Sequence, residues 1–172
     1  MSSLLAIGTV TSACEQTNRD QVGAETLASL VEVRPGDIQP LVRATEARGV
    51  LVNMWSTWCA PCVEEFPALR RVGRAYGPQG LATLFISTDL AANRGEAISF
   101  LKAQGVPMPG YIKAGSDQAF IPALHPEWSG ALPATVLFDS QGVARHLWEG
   151  SVNLEVLEAS IRDLLKEEPR EP

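Results

Sequence analysis

The sequence predicts an α/β domain built on a central mixed β-sheet with helices on both faces. Three observations carry this prediction. Val50–Trp55, Leu81–Thr88 and Ala134–Asp139 are near-continuous apolar runs, the mark of strands covered on both sides. Segments of helical periodicity separate strands along the chain, the pattern of parallel strands joined by crossover helices. Ser140-Gln141-Gly142 then turns the chain tightly into Val143–Trp148, so an antiparallel hairpin makes the sheet mixed.

Each element has its own signal. Leu27–Val33 alternates apolar and polar residues and fits a first strand, stopped by Pro35-Gly36. Asp37 is placed to cap a helix running to about Arg48, with Ile38, Leu41, Val42 and Ala47 on its inner side and Gly49 ending it. A second helix is expected from Cys59 to about Tyr76, kinked at Pro67, which lacks the N–H that an interior position needs. Gly77-Pro78-Gln79-Gly80 forms a turn into the Leu81–Thr88 strand. Gly95–Gln104 follows as a helix with Ile98 and Leu101 inward, then a short strand at Tyr111-Ile112 and a short helix at Asp117–Leu124. Leu154–Leu165 closes the domain as an amphipathic helix, with Leu154, Leu157, Ile161, Leu164 and Leu165 on its apolar side.

Composition excludes several classes of function. The 172 residues suffice for one domain with a sizeable core, and 45% hydrophobic against 20% charged residues is ordinary for a soluble globular chain. A formal charge of −6 argues against a nucleic-acid partner, which requires a basic face to displace counterions from phosphates. No run approaches the roughly 18 apolar residues that span a bilayer. Three cysteines are too few to staple a miniprotein, so their positions carry the information.

The first, Cys14, follows the apolar run Leu4–Val10 and the small residues Ser12-Ala13, and precedes a polar stretch from Glu15. Residues 1–14 therefore read as a signal or lipobox-like segment: Cys14 either accepts a lipid that anchors the protein or leaves with a cleaved signal peptide. No basic residue precedes the apolar run, and Thr11 stands where such sites usually carry Leu. Residues 15–26 read as a tether, 27–168 as the folded domain and 169–172 as a solvated tail.

Cys59 and Cys62 lie where the Val50–Trp55 strand gives way to a helix. Their spacing puts both sulfurs on one helical turn, close enough to bridge. Cys59 falls at the helix N-terminus, where unpaired amides and the positive dipole end favour a thiolate, so it is the expected nucleophile. Cys62, one turn inside, is the expected resolving thiol. Pro61 costs little there, because an N–H in the first turn has no helical partner. A structural zinc site needs four ligands, and His125 and His146 do not supply a second pair at the required spacing, so no metal is expected. Covalent haem attachment needs His after the second cysteine, where the chain has Val63. A static bridge over three residues closes almost no loop and stabilises little. Redox chemistry is the reading that remains.

The segment Leu51–Pro67, with Trp58-Cys59-Ala60-Pro61-Cys62 at its centre, and the segment Gly130–Asp139 resemble the TlpA/ResA/CcmG-type thioredoxin-like proteins. The resemblance implies a thioredoxin-like fold, with Gly95 to about Ile112 as the helix–strand insertion of the TlpA branch. It also implies an exported, membrane-tethered thiol–disulfide oxidoreductase, usually a reductant. On the same ground Glu65 matches an acid that exchanges protons with Cys62, although a solvated carboxylate like Glu64 is the simpler alternative. Asn53 stands where cytosolic thioredoxins bury an acid. Pro133, after Leu132, matches the cis-proline that keeps the Leu132 backbone open to an incoming substrate strand. Trp58, Ala60, Pro61 and Leu132 would contact substrate. Peroxiredoxins share the insertion but use a Thr/Cys/Arg arrangement without a paired cysteine, which makes peroxide chemistry a poor second.

The expected activity is reduction of protein disulfides in the bacterial periplasm or cell envelope, in cytochrome c maturation or related thiol maintenance. Oxidised proteins would be the substrates, a membrane donor of the CcdA/DsbD type the electron source, and the protein a monomer. No cofactor beyond the redox-active Cys59–Cys62 pair is expected. A disulfide oxidant, or a copper chaperone using the dithiol as ligand, are the alternatives. Trp55 is expected in the core, His125 as an ordinary loop residue, and Arg70, Arg71 and Arg74 on a solvated helix face.

Overall fold

The structure, a computed structural model, describes residues 29–167. In chain order its elements are β1 (Leu30–Val33), α1 (Ile38–Arg43), β2 (Gly49–Trp55), α2 (Ala60–Tyr76), β3 (Leu81–Ser87), α3 (Arg94–Ala103), β4 (Gly110–Lys113), α4 (Asp117–Leu124), β5 (Ala134–Asp139), β6 (Ala144–Glu149) and α5 (Leu154–Lys166). The strands form one sheet of order β1-β4-β3-β2-β5-β6. β1, β4, β3 and β2 pair in parallel, while β5 runs antiparallel to both β2 and β6. This is the mixed sheet the sequence predicts, and the α3–β4 segment inserts β4 between β3 and β1.

Every residue of β2 and β5 is buried, because helices cover both faces of the sheet at its centre. Alternate residues of β2 divide between two cores. Leu51 and Trp55 join the core under α2, α3 and α5, with Phe66, Leu69, Leu101, Leu157 and Ile161. Val50, Val52 and Met54 join the core under α1 and α4, with Ile38, Val42, Phe120 and Leu124. Burial of each large side chain contributes roughly 1.5–3 kcal/mol. Trp55 is fully buried, as expected, and its ring meets Phe66 edge-on at 5.2 Å.

α2 is the element that carries the paired cysteines, and its buried stripe is Cys62, Phe66, Leu69, Val72 and Tyr76. It continues unbroken through Pro67. Gly73 lets it approach the sheet closely, since a Cβ there would lie 2.6 Å from Thr83 Oγ1 of β3. α5 is capped by Asn153, whose side chain accepts from Glu155 N at 2.9 Å and Val156 N at 3.2 Å.

Several boundaries differ from the sequence expectation. β1 begins at Leu30, and α1 ends at Arg43 rather than near Arg48. Thr45 Oγ1 donates to Val42 O and accepts from Ala47 N, and Glu46 takes a left-handed φ of 53°, so the chain leaves the helix early. Asp37 does not cap α1 through its side chain; it accepts instead from Arg34 N at 2.8 Å, behind a short turn at Pro35–Asp37. α2 starts one residue later than expected, with Cys59 as its N-cap. β6 starts at Ala144, because Val143 N is taken by Asp139 Oδ1 within the hairpin turn. Segments 1–14 and 15–26, with Cys14, and the tail 169–172 lie outside the described residues. Among the described residues no helix is long and apolar enough to cross a membrane.

Candidate active site

The chain leaves β2 at Trp55, turns through Ser56-Thr57-Trp58, and enters α2 with Cys59 as N-cap and Pro61 in the first turn. Cys59 N donates to Ser56 O at 3.2 Å, and Val63 N donates to Cys59 O at 3.1 Å, so the turn and the helix lock together at Cys59. The amides of the first helical turn have no intrahelical acceptors and give this end a partial positive charge. Cys59 and Cys62 are joined by a disulfide, with Cα atoms 5.2 Å apart. Both are buried, but unequally, at 6% and 1% exposure. Trp58 beside them is 67% exposed.

Across from the disulfide lies the loop ahead of β5. The Leu132–Pro133 peptide bond is cis, as the resemblance implied, and Pro133 O accepts from Gly150 N at 2.8 Å. A second cis bond, Met108–Pro109, precedes β4 and had no sequence expectation. A groove of about 690 Å³ opens between the two segments, lined by Trp58, Cys59, Leu90, Ile121, Trp128 and Leu132. At its rim Lys113 pairs with Asp117 at 2.7 Å. Cys59 lines this groove and Cys62 does not. Ala60 and Pro61 are exposed on the same turn of α2.

Glu65 sits one turn beyond Cys62 and is half-buried. Its Oε2 accepts from Val152 N at 3.1 Å and its Oε1 from Asn53 Nδ2 at 3.4 Å. Burial raises its pKa above the usual 4.5, and these two hydrogen bonds offset part of the rise. A carboxyl in this state holds a proton at higher pH than a solvated one, which suits a proton exchanger. Asn53, 1% exposed, donates also to Thr135 Oγ1 at 3.0 Å, so an amide rather than an acid fills the centre of the sheet here.

Three site features had no sequence expectation. Asp89, 4% exposed, binds the Ser56-Thr57 turn. Glu149 at the end of β6 accepts from Ser129 N at 3.0 Å and from the Ser129 hydroxyl, fastening the loop that carries Leu132. Leu90, 75% exposed, adds an apolar wall to the groove. The available signal for Asp89 was register: parallel pairing of Trp55 with Ser87 sets the residues after β2 beside those after β3. His125 does not line the groove; its Nδ1 accepts from Glu127 N within the loop, in keeping with an ordinary loop role. Arg71 and Arg74 are exposed as expected, but Arg70 turns onto Gln104 O and Gly105 O at the end of α3. Burial, and then Arg74 nearby, lower its pKa. Among the described residues no group of three or more His, Cys, Asp or Glu could hold a metal ion.

The AhpC/TSA family model matches residues 29–147, which takes in β1 through most of β6, with Cys59, Cys62, Glu65, Asp89 and Pro133. The chain belongs to the AhpC/TSA family. Within it, the chain is 30% identical over 137 residues to the thiol:disulfide interchange protein DsbE of Escherichia coli K12, covering 80% of this chain and 69% of that one. It is likewise 30% identical over 121 residues to the thiol-disulfide oxidoreductase ResA of Geobacillus kaustophilus, covering 68% and 63%. The chain thus spans about two thirds of the length of these relatives. Both names agree with the resemblance read from the Cys59–Cys62 segment. Among solved structures, a thioredoxin-family thiol:disulfide interchange protein from Chlorobium tepidum superposes with a TM-score of 0.56 at 19% identity, covering 71% of this chain and 83% of that one. A thiol-disulfide isomerase from Corynebacterium glutamicum gives 0.60 at 19%, with the same coverage. These likenesses establish the fold as thioredoxin-like.

Proposed function

We propose that the protein is an exported thiol–disulfide oxidoreductase that reduces protein disulfides in the bacterial cell envelope. The observation that carries this reading is the unequal placement of the bonded pair: Cys59 lines the groove that Leu132 also lines, and Cys62 does not. In the reduced state the helix N-terminus favours the Cys59 thiolate. That thiolate attacks one sulfur of a substrate disulfide, forming a mixed disulfide and releasing the other substrate sulfur as a thiolate. Glu65 takes the proton of Cys62, whose thiolate then attacks Cys59 Sγ. The second substrate sulfur leaves, the Cys59–Cys62 bond closes, and two electrons have passed to the substrate.

Trp58, Ala60, Pro61 and Leu132 contact the substrate segment in the groove, and the Leu132 backbone beside Pro133 pairs with it as an added strand. The dithiol is the sole redox group in this scheme. A membrane protein of the CcdA/DsbD type restores it, and Cys14 holds a lipid that keeps the domain at that membrane. Substrates in cytochrome c maturation follow from the family resemblance of the Cys59–Cys62 segment, and the names of the DsbE and ResA relatives support thiol–disulfide exchange itself.

Trapping tests the reading. A Cys62→Ala variant expressed in cell envelope should accumulate mixed disulfides through Cys59 that a reductant releases and that Cys59→Ala abolishes. Absence of any mixed disulfide removes Cys59 as nucleophile. Equilibration with glutathione fixes the direction: a potential near about −120 mV, that of strong oxidants, would make the protein a disulfide donor instead.

A further inference from the structure

Asp89 lies just past the end of β3, is 4% exposed, and takes no part in the exchange chemistry described above. Its Oδ1 accepts from Ser56 Oγ at 2.8 Å, from Thr57 Oγ1 at 2.6 Å and from Thr57 N at 3.2 Å. Its Oδ2 accepts from Thr57 N at 3.1 Å and from Ser87 Oγ at 2.7 Å. A carboxylate removed from water is costly unless hydrogen bonds replace its hydration, and hydrogen bonds to a charged acceptor are the strong ones. Three hydroxyls and an amide supply them here. Three of those four donors belong to Ser56 and Thr57, the two residues that link β2 to Trp58 and Cys59. Ser56 is fully buried and its carbonyl accepts from Cys59 N at 3.2 Å. A continuous chain of contacts therefore runs from Asp89 through Ser56 to the backbone of Cys59. With Ser56 and Cys59 both fixed, the intervening Trp58 remains outside the core on the groove.

We propose that Asp89 is a positioning residue for thiol exchange, holding the Ser56-Thr57 turn so that Cys59 Sγ sits at the head of α2 and faces the groove. The inference rests on Cys59 as the attacking sulfur. Asp89 itself touches neither substrate nor sulfur; it acts through the turn. Side-chain placement at this precision matters for attack, because an ångström-scale displacement of a reacting atom costs as much as about a hundredfold in rate.

The test uses the reduced full chain and oxidised glutathione as a small probe that needs no protein docking. Cys59 thiolate attacks one glutathione sulfur and expels the other glutathione as thiolate; Cys62 then displaces the bound glutathione and closes the Cys59–Cys62 bond. The rate is followed from pH 5 to 9, so that the plateau at high pH, where the thiolate is fully formed, is separated from the midpoint. Thr57→Val and Asp89→Asn are each expected to lower the plateau by about tenfold, the worth of one hydrogen bond to a charged group. Thr57→Ser, which restores the hydroxyl, should return it to within about twofold of wild type, and the double variant should lose no more than the larger single loss, as coupled residues do.

A plateau within about twofold of wild type in Asp89→Asn, accompanied only by a lower melting temperature, would show a purely structural residue and overturn the proposal. Multiplicative losses in the double variant would overturn it as well. If Asp89→Asn fails to fold, the contrast between Thr57→Val and Thr57→Ser decides alone. A wild-type chain inert toward oxidised glutathione would instead overturn the redox reading, and this inference with it, so the two failures are told apart by the wild type.

Discussion

Asn53 of β2 and Glu65 of α2 meet at the interface of sheet and helix, with Asn53 Nδ2 3.4 Å from Glu65 Oε1. The amide has no proton to lose, so of the two only Glu65 titrates. Asn53→Asp would place a second carboxyl at this contact, and two acids so close cannot both ionise cheaply. Asn53→Asp is expected to cost about 3 kcal/mol of unfolding free energy at pH 7, as an uncompensated buried charge does, and to recover most of it at pH 4. Urea unfolding at the two pH values measures this; equal losses at both would place the cost in packing rather than charge.

In the wild-type chain Glu65 makes a pH-dependent contribution whose sign follows from its raised pKa. Below its unfolded value of 4.5 the carboxyl is protonated in both states, and its contribution to stability is fully present. As pH rises through the higher folded value, the buried group must ionise and that contribution is lost. Glu65→Gln should therefore unfold at higher urea than wild type at pH 7, with the gap closing below pH 4.5. The same variant should slow resolution of the Cys59 mixed disulfide, read as a longer-lived glutathione adduct. A gap that persists unchanged at low pH would remove the charge explanation.

Glu149 behaves in the opposite sense. Hydrogen bonds from the Ser129 hydroxyl and amide lower its pKa, so its stabilising contact with the loop is present above pH 4.5 and is lost as pH falls through the lower folded value. Glu149→Gln should raise the exchange rate of the Ser129 amide with deuterated water at pH 7, while the two proteins converge at acid pH. An unchanged amide would show that Gly150 N, bonded to Pro133 O at 2.8 Å, holds the loop without Glu149.

These contacts also show which parts of the molecule could be read from the chain. The strands Val50–Trp55 and Ala134–Asp139 were legible because burial on both faces forces a continuous apolar run. The paired cysteines were legible because their spacing and their place after such a strand are local facts. α1 was overestimated because the Thr45 hydroxyl competes for Val42 O, a side-chain effect that periodicity does not register. Asp89 stayed hidden because its partners Ser56 and Thr57 lie 33 and 32 residues away and meet it only through the parallel register of β2 and β3. Glu149 and Ser129, 20 residues apart, are hidden because the end of β6 and the loop ahead of β5 meet only in the folded sheet.

Gly130 offers a test of the groove itself. It takes a φ of +93°, and a Cβ there would lie 2.6 Å from Ile121 Cδ1, which lines the groove. Gly130→Ala combines backbone strain with displacement of that side chain, and is expected to cost about 1–3 kcal/mol. It should also raise the KM for a protein disulfide by narrowing the wall opposite Cys59. A variant destabilised by this amount yet unchanged in KM would place the substrate segment elsewhere.

Trp55 and Trp58 flank the Ser56-Thr57 turn and separate the core from the exposed groove within four residues. Trp55 is fully buried against Phe66 and Phe100, so Trp55→Ala should cost about 3–5 kcal/mol through the cavity it leaves. Its Nε1 has no hydrogen-bond partner among the described residues, and Trp55→Phe removes that unsatisfied donor along with some volume, so the loss should be markedly smaller. Trp58 is 67% exposed, and Trp58→Ala should change unfolding free energy by no more than about 0.5 kcal/mol. Its effect should fall on reduction of a protein disulfide, where loss of a large exposed aromatic beside Cys59 removes a contact that the substrate segment covers. Urea unfolding and steady-state reduction of one oxidised protein, measured on all three variants, separate the two roles; a Trp58→Ala protein that reduces its substrate at the wild-type rate would take Trp58 out of the docking surface.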